Sequence, residues 1–404
     1  GHFFVALNGP NFNANKFALE AVQKGAVAAI VDEPPVEEND KIIVVPDALK
    51  CLQELANLHR KKMSATIIVV GGSNGKTTCK ELISRVLSTK FRTFSTPGNF
   101  NNHIGVPLSL LQIRVRHQMA VIEIGANHAG EHTELCKIVE PDFGLVTNNG
   151  KDHLEGFGSI EGVIKANAEI LEYLKENDKK VFFNTSDTSF EGYDHGLNKV
   201  TYGTKEGGFV KLNVLQSVPT ATIEVSFKGA NWYKVYSKLF GAFQRDNVGL
   251  AACVGHYFGL TSDDIRKGVE NYYPDNMRGQ VMRWNRNEVI LDAYNANPSS
   301  VLAILEGFAD YAQSPKGVIL GDMLELGEAS AHEHKLIQDY LLSCSFEWVL
   351  FVGKEFERIE NENFHYVNSA LEAKGWLIAE EIADHYLLVK GSRGLKMEDI
   401  VNDN

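Results

Sequence analysis

The chain lacks any apolar run near the roughly 18 residues that a bilayer-spanning helix needs, so no helical membrane span is expected. It also lacks a Cys-x-x-Cys pair. Cys51, Cys79, Cys136, Cys253 and Cys344 are scattered, which argues against a zinc site or a disulfide framework. The pattern suits a reducing, cytoplasmic compartment in which each thiol is a small buried hydrophobe. Basic residues are not in excess: 40 Lys and Arg stand against 52 Asp and Glu, a formal net charge of −12. That is the reverse of a general nucleic-acid-binding footprint, although one local basic loop is enough for a phosphorylated substrate. There is no internal repeat, no low-complexity tract and no signal-peptide pattern. What remains is a chain of 404 residues with 44% hydrophobic and 23% charged content, ordinary for a soluble globular protein and long enough for two or three domains.

The most informative stretch is Thr66 to Thr78. The β-branched run Ile67–Val70 reads as a buried strand, breaks at Gly71 and Gly72, and gives way to a helical pattern near Thr77. Strand, glycine loop and helix form the setting in which a lysine motif becomes a phosphate cradle. In Gly72-Ser-Asn-Gly75-Lys76-Thr77-Thr78 the glycines let backbone N–H groups face an anion. The helix N-terminus adds partial positive charge. Lys76 is expected to reach the outer phosphates of ATP, and Thr77 to offer its hydroxyl to Mg²⁺. The full phosphate-loop pattern has a further glycine where Val70 stands, so only the shorter form is present.

Residues 1–62 read as a small α/β piece that opens on Gly1, directly before a strand and without an initiator Met, so an upstream segment is expected. Residues 63–273 alternate strands (Thr66–Val70, Ala120–Ile124, Gly144–Thr147, Val181–Asn184) with helices near Thr77–Leu87, Glu131–Val139 and Ile160–Leu174. This predicts a mainly parallel sheet covered on both faces. Thr201–Gly203, Lys211–Gln216, Thr222–Phe227 and Trp232–Ser237 read as successive antiparallel strands, with Asn247–Phe258 a final helix. Residues 274–404 restart an alternating pattern and predict a Rossmann-like domain. Asp32–Asp40, with two prolines and five acids, reads as a solvated loop.

Other segments carry chemistry. Glu123 closes a strand at the sheet end where α/β proteins bind ligands, either as an oxygen ligand for Mg²⁺ or as a solvated acid. His153 lies in the glycine-bearing loop Asn149–Gly158 over the same edge, placed for a second metal or a phosphate. Three asparagines between Asn99 and Asn102 suit a sugar-like or peptide-like ligand, or simply a turn. Asp292 follows a Rossmann-type strand, the usual place of a ribose contact.

In this order Gly98-Asn-Phe-Asn-Asn-His-Ile-Gly-Val-Pro107, Glu123-Ile-Gly-Ala-Asn-His128, His153-Leu-Glu-Gly-Phe-Gly158, Asp292-Ala-Tyr-Asn-Ala-Asn-Pro298, Gly321-Asp-Met-Leu-Glu-Leu-Gly327 and Lys390-Gly-Ser-Arg393 resemble the Mur ligase family over essentially the whole chain. The resemblance implies an α/β, three-domain architecture: residues 1–62 for a UDP-sugar, apparently truncated at the start; a central P-loop ATPase domain, 63–273; and a C-terminal Rossmann-like domain, 274–404, accepting a dipeptide. It implies an ATP- and Mg²⁺-dependent amide ligase of cytoplasmic peptidoglycan precursor synthesis, working as a monomer. Such an enzyme joins D-Ala-D-Ala to UDP-MurNAc-tripeptide through an acyl-phosphate.

By the same resemblance, Lys76, Glu123 and His153 are catalytic, and Thr77, Glu123 and His153 hold metal. Gly72, Ser73, Asn74, Gly75, Thr78, Gln244, Asn247, Arg278 and Asp292 join Lys76 and Thr77 in binding ATP. Thr96, Asn99 and Asn102 meet the muramoyl-peptide. Asn295 and Asn297 lie beside the nucleotide contacts, and Asp322, Glu325, Lys390 and Arg393 belong to the dipeptide-accepting domain. The chain departs from the family at Asn167, where many members carry a carbamylated lysine, and at Gln244, where an asparagine is usual. Lys165 is predicted to point to a different helix face from Asn167. Competing readings are another ligase of the superfamily, of folylpolyglutamate or cyanophycin type, and a nucleotide-binding protein without ligase activity.

Overall fold

The computed structural model describes residues 1–35 and 39–402. Residues 36–38 of the expected Asp32–Asp40 loop therefore lie outside the described residues.

Three sheets of the α/β kind carry the chain. The first is small and parallel, in the order Phe3–Val5, Ala28–Val31, Ile42–Val44. Helix Ala48–Lys62 leads out of it, started by Asp47, whose carboxylate accepts from the Lys50 N–H.

The second sheet has nine strands. Its heart is Thr66–Gly71, paired in parallel with Met119–Glu123 on one side and Phe143–Val146 on the other. Ile67, Ile68, Val69 and Val70 are fully buried, because alternate residues of this strand feed two different cores. That double burial is why the strand reads as a continuous apolar run rather than an alternating one.

The antiparallel expectation for residues 201–237 needs correction. Asn198–Gly203 runs parallel to Lys180–Asn184 and meets Val210–Gln216 in parallel over two residue pairs. The segment between 184 and 198 is a crossover, which returns the chain in its original direction. Only Val210–Gln216, Thr220–Phe227 and Tyr233–Phe240 form an antiparallel run at the edge. Nor is the helix near Asn247 the last in this part. It spans Gln244–Tyr257, and Ser262–Glu270 follows, begun by a capping box of Thr261 and Asp264.

The third sheet is ordered Gln280–Trp284, Asn287–Asp292, Tyr386–Lys390, Lys316–Gly321, Trp348–Val352, Phe364–Val367. The first pair is an antiparallel hairpin and the rest is parallel. Strand order reverses beside Tyr386–Lys390, so a crevice opens at the carboxyl ends of Asn287–Asp292 and its neighbours. Phe240, at the end of the second sheet, is buried in the core of the third, and Leu154 and Phe243 pack against that same core. The two larger units thus meet through shared apolar contacts, and their ligand-facing edges look at each other.

Candidate active site

The phosphate loop is shaped by two glycines in the left-handed region. Gly72 has φ +117, and a Cβ there would lie 2.3 Å from Thr147 Oγ1. Gly75 has φ +80, and its Cβ would press on the Asn247 amide at 3.2 Å. Side chains are therefore excluded by both backbone and neighbour, which is what lets the loop close tightly before helix Lys76–Ser88. Asn148 secures the loop: its side chain accepts from the Asn74 N–H and donates to the Asn74 carbonyl. Lys76 Nζ donates to the Gly72 and Ser73 carbonyls at 2.5 and 2.9 Å, which keeps its charge over the loop.

This loop lines a cavity of about 700 Å³ that runs between the second and third sheets. Ser73, Asn74, Gly75, Lys76, Thr77 and Thr78 all face it. Glu123 reaches it from the neighbouring strand end, and His153 from the loop after Phe143–Val146. Gln244 and Asn247 enter from their helix, and Asn99 and Asn102 from the asparagine-rich loop. The third sheet contributes Arg278, Asp292, Asn295, Asn297 and Lys390.

Glu123 is held with unusual care for a strand-end acid. Its backbone N–H donates to Thr96 Oγ1 at 2.9 Å, and its Oε1 accepts from Asn101 Nδ2 at 2.9 Å. Its Oε2 is buried without a hydrogen-bond partner, 3.9 Å from Lys80 Nζ. Thr77 Oγ1 is also buried and unpartnered. Buried polar atoms are normally satisfied, so two such oxygens facing one cavity are a donor set suited to a hard cation. Mg²⁺ takes oxygen ligands and keeps several waters, so it fits a site with few protein ligands.

Asn247 Nδ2 donates to Gln244 Oε1 at 2.7 Å, so Gln244 and Asn247 form one buried amide unit. Arg278 stacks its guanidinium 3.8 Å over the Tyr294 ring. Asp292 accepts from Lys390 Nζ at 2.7 Å and from the Gly279 N–H at 3.0 Å, which ties Lys390 to the acid.

Other expected site residues are turned elsewhere. Gly72 is not among the residues that line the cavity. Thr96 is buried and serves the Glu123 backbone, and it does not line the cavity. Asp322 accepts from the Lys354 and Glu355 N–H groups at 2.8 and 3.2 Å; burial pushes its carboxyl above the usual range, against those two bonds. Arg393 pairs with Glu398. Glu325 meets His153, its Oε2 lying 2.7 Å from Nδ1. None of these last three lines the cavity. Asn167 sits beneath the loop, donating to Asn149 Oδ1 at 2.8 Å and to Ser73 Oγ at 3.4 Å, whereas Lys165 is exposed on another face of the same helix.

Sequence reasoning passed over Asp152, Asn184, Asp187, Arg245 and Asp246, all of which line the cavity. Two signals were available: Arg245 and Asp246 stand between Gln244 and Asn247, and Asp152 adjoins His153. Burial pushes the Asp246 carboxyl upward, and the Arg245 charge opposes this.

The chain is similar to known proteins over nearly its whole length. Residues 70–255 match the Mur ligase middle domain, and residues 277–399 match the Mur ligase, glutamate ligase domain. The UDP-N-acetylmuramoyl-tripeptide–D-alanyl-D-alanine ligase of Bacillus subtilis is 31% identical over 99% of this chain and 89% of its own length. The enzyme of the same name from Escherichia coli is 33% identical over 99% of the chain and 90% of its own length. The crystal structure of MurF ligase from Thermotoga maritima in complex with ADP superposes with a TM-score of 0.88 at 27% identity, covering 99% of this chain and 93% of that one.

Proposed function

This chain belongs to the Mur ligase family, and from that membership we propose that it uses ATP to join D-alanyl-D-alanine to UDP-N-acetylmuramoyl-tripeptide in the cytoplasm. The observation that carries the reading is the single cavity in which the phosphate loop, the Glu123 carboxylate and the Asp292–Lys390 pair face one another. We assign residues 1–62 to the UDP-sugar, 63–273 to ATP and 274–404 to the dipeptide, in a monomeric enzyme.

The chemistry follows from the residues. A carboxylate is a poor electrophile until one of its oxygens becomes a leaving group. An oxygen of the tripeptide carboxylate attacks the terminal phosphorus of ATP, and ADP departs. The dipeptide amine then adds to the acyl carbon, loses its proton, and expels phosphate as the amide forms. The first step brings two anions together, and Lys76 and the loop N–H groups neutralise them in advance. Thr77 and Glu123 would hold Mg²⁺, and His153 would add a nitrogen ligand. Bound there, the cation neutralises charge and aligns the reacting oxygens. Gln244 and Asn247 hold the adenine end, while Arg278 and Asp292 bring phosphate and ribose contacts from the third sheet. Asn99 and Asn102 are left to receive the muramoyl-peptide, with Thr96 acting through Glu123. Lys390, Asn295 and Asn297 border the dipeptide's approach, with Asp322 and Arg393 farther back.

The test is phosphate release from ATP in the presence of each candidate acceptor. Release should require both UDP-MurNAc-tripeptide and D-Ala-D-Ala. Release with neither, or none with both, would overturn the assignment.

A further inference from the structure

His153 and Glu325 meet across the junction of the second and third sheets, with 2.7 Å between Nδ1 and Oε2. Each is a non-glycine residue in the left-handed region, His153 at φ +46 and Glu325 at φ +65. Such a conformation costs about 1–2 kcal/mol for an L-residue and persists only where surrounding contacts fix it. Those contacts are present. The Glu155 N–H donates to the Glu325 carbonyl at 3.3 Å. Lys151 pairs with Glu333 at 2.6 Å, and its N–H donates to Ser299 Oγ at 2.9 Å. On the far side, the Met323 and Leu324 N–H groups donate to His334 Nε2 and Ser392 Oγ, which stiffens the segment that carries Glu325. Both side chains are thus held to one another by clamped loops from two different units.

An imidazole whose Nδ1–H is engaged by a carboxylate is locked in one tautomer, with the Nε2 lone pair directed away from that carboxylate. This is the arrangement that outer carboxylates impose on metal-binding histidines. His153 lines the cavity.

We propose that Glu325 is a positioning residue that sets the tautomer and orientation of His153, so that Nε2 is presented to a divalent cation only when the two units are together. The idea rests on the ligase reading for its purpose, since it makes assembly of the metal site depend on closure over the substrates. Glu325 belongs to the unit that receives the second substrate, and its partner belongs to the unit that binds nucleotide. One imidazole–carboxylate contact therefore links the two.

The experiment uses the full chain labelled with ¹⁵N-histidine and loaded with the non-hydrolysable analogue AMP-PNP. His153 is assigned by the peak lost in His153→Asn. Long-range ¹H–¹⁵N spectra of the parent should show His153 as the Nδ1–H form. Glu325→Ala should move it toward the Nε2–H form that free imidazole favours, and Mn²⁺ affinity in the AMP-PNP complex, read by electron paramagnetic resonance, should fall about 10-fold. Glu325→Gly removes the carboxylate while relieving the positive φ, so its fold is secure and it should behave like the alanine variant. Glu325→Gln keeps an acceptor oxygen and should regain part of the affinity. Unchanged His153 nitrogen shifts and unchanged Mn²⁺ affinity in both truncations would overturn the proposal. These readouts need no turnover. A chain with no ligase activity but a Glu325-dependent tautomer would refute the ligase reading alone, and the converse would refute the dyad alone.

Discussion

Asn297 Nδ2 donates to Asn74 Oδ1 at 2.8 Å, joining residues 223 apart in sequence. Asn297 also caps helix Pro298–Ala309 by accepting from the Ser300 N–H. One side chain thus starts a helix of the third sheet's unit and grips the phosphate loop of the second. Replacing it with serine keeps a good cap but is too short to reach Asn74. Losing one such bond is worth roughly 0.5–1.5 kcal/mol, or about 2–13-fold in an equilibrium constant. Asn297→Ser should raise KM for ATP within that range with little change in melting temperature. A melting temperature that collapses while KM holds would mean the amide serves the helix alone.

Lys76→Ala should lower kcat by roughly 10²–10³-fold or more, the cost of removing a preorganised donor to developing charge. Stability should hold, because Lys76 Nζ bonds only to carbonyls of its own loop. Steady-state phosphate release together with a thermal melt checks both halves. Full activity in a folded variant would defeat the phosphate-loop assignment.

The strands around the phosphate loop were legible because they are buried on both faces, which leaves unbroken β-branched runs ending in glycine. Helix Glu131–Val139 falls where periodicity puts it. The hairpin strand Gln280–Trp284 was missed. It alternates exposed and half-buried residues and carries an arginine, so composition did not separate it from a loop. Helix Ser262–Glu270 carries its own start signal in the Thr261–Asp264 capping box. At the site, residues that act through their own loop could be read from sequence. Residues whose partners arrive from distant segments could not. Nothing near Thr96 says that its hydroxyl will hold the Glu123 backbone, and nothing near Glu325 says that it will face His153. The crossover before Asn198 explains the remaining error, since strand direction depends on how a connection travels rather than on the strand's own residues.

Lys80 is fully buried beside this machinery. Its Nζ donates to the Thr96 and Gly98 carbonyls at 2.7 and 3.2 Å and sits 3.0 Å from Glu81 and 3.9 Å from Glu123. Lys80→Met leaves those acceptors and the buried Glu123 uncompensated, a loss of about 3–5 kcal/mol for breaking such a pairing from one side. Urea unfolding should show a drop of that order. Adding Glu123→Gln should recover part of it, giving a coupling of roughly 0.5–3 kcal/mol in a double-mutant cycle. Strict additivity would show that the lysine supports the Thr96–Gly98 turn without reference to Glu123.

His256 gives the fold an acid-sensitive point away from the site. Its ring stacks on Phe227 with centroids 4.6 Å apart and planes within 5°, and its Nε2 lies 2.8 Å from the Tyr233 hydroxyl. Burial lowers its pKa from 6.5 to about 4. The unfolded chain therefore takes up a proton near pH 6.5 while the folded chain still refuses one. Wherever the unfolded state binds more protons, stability rises with pH. The contribution of neutral His256 is thus complete above about pH 6.5 and drains away as pH falls toward 4. Glutamine at this position can still bond Tyr233 but does not titrate. His256→Gln should melt less steeply with acidification between pH 7 and 4.5 than the parent does, even if it is less stable at pH 7. Parallel melting curves across that window would show that the buried ring takes up its proton without opposing the fold.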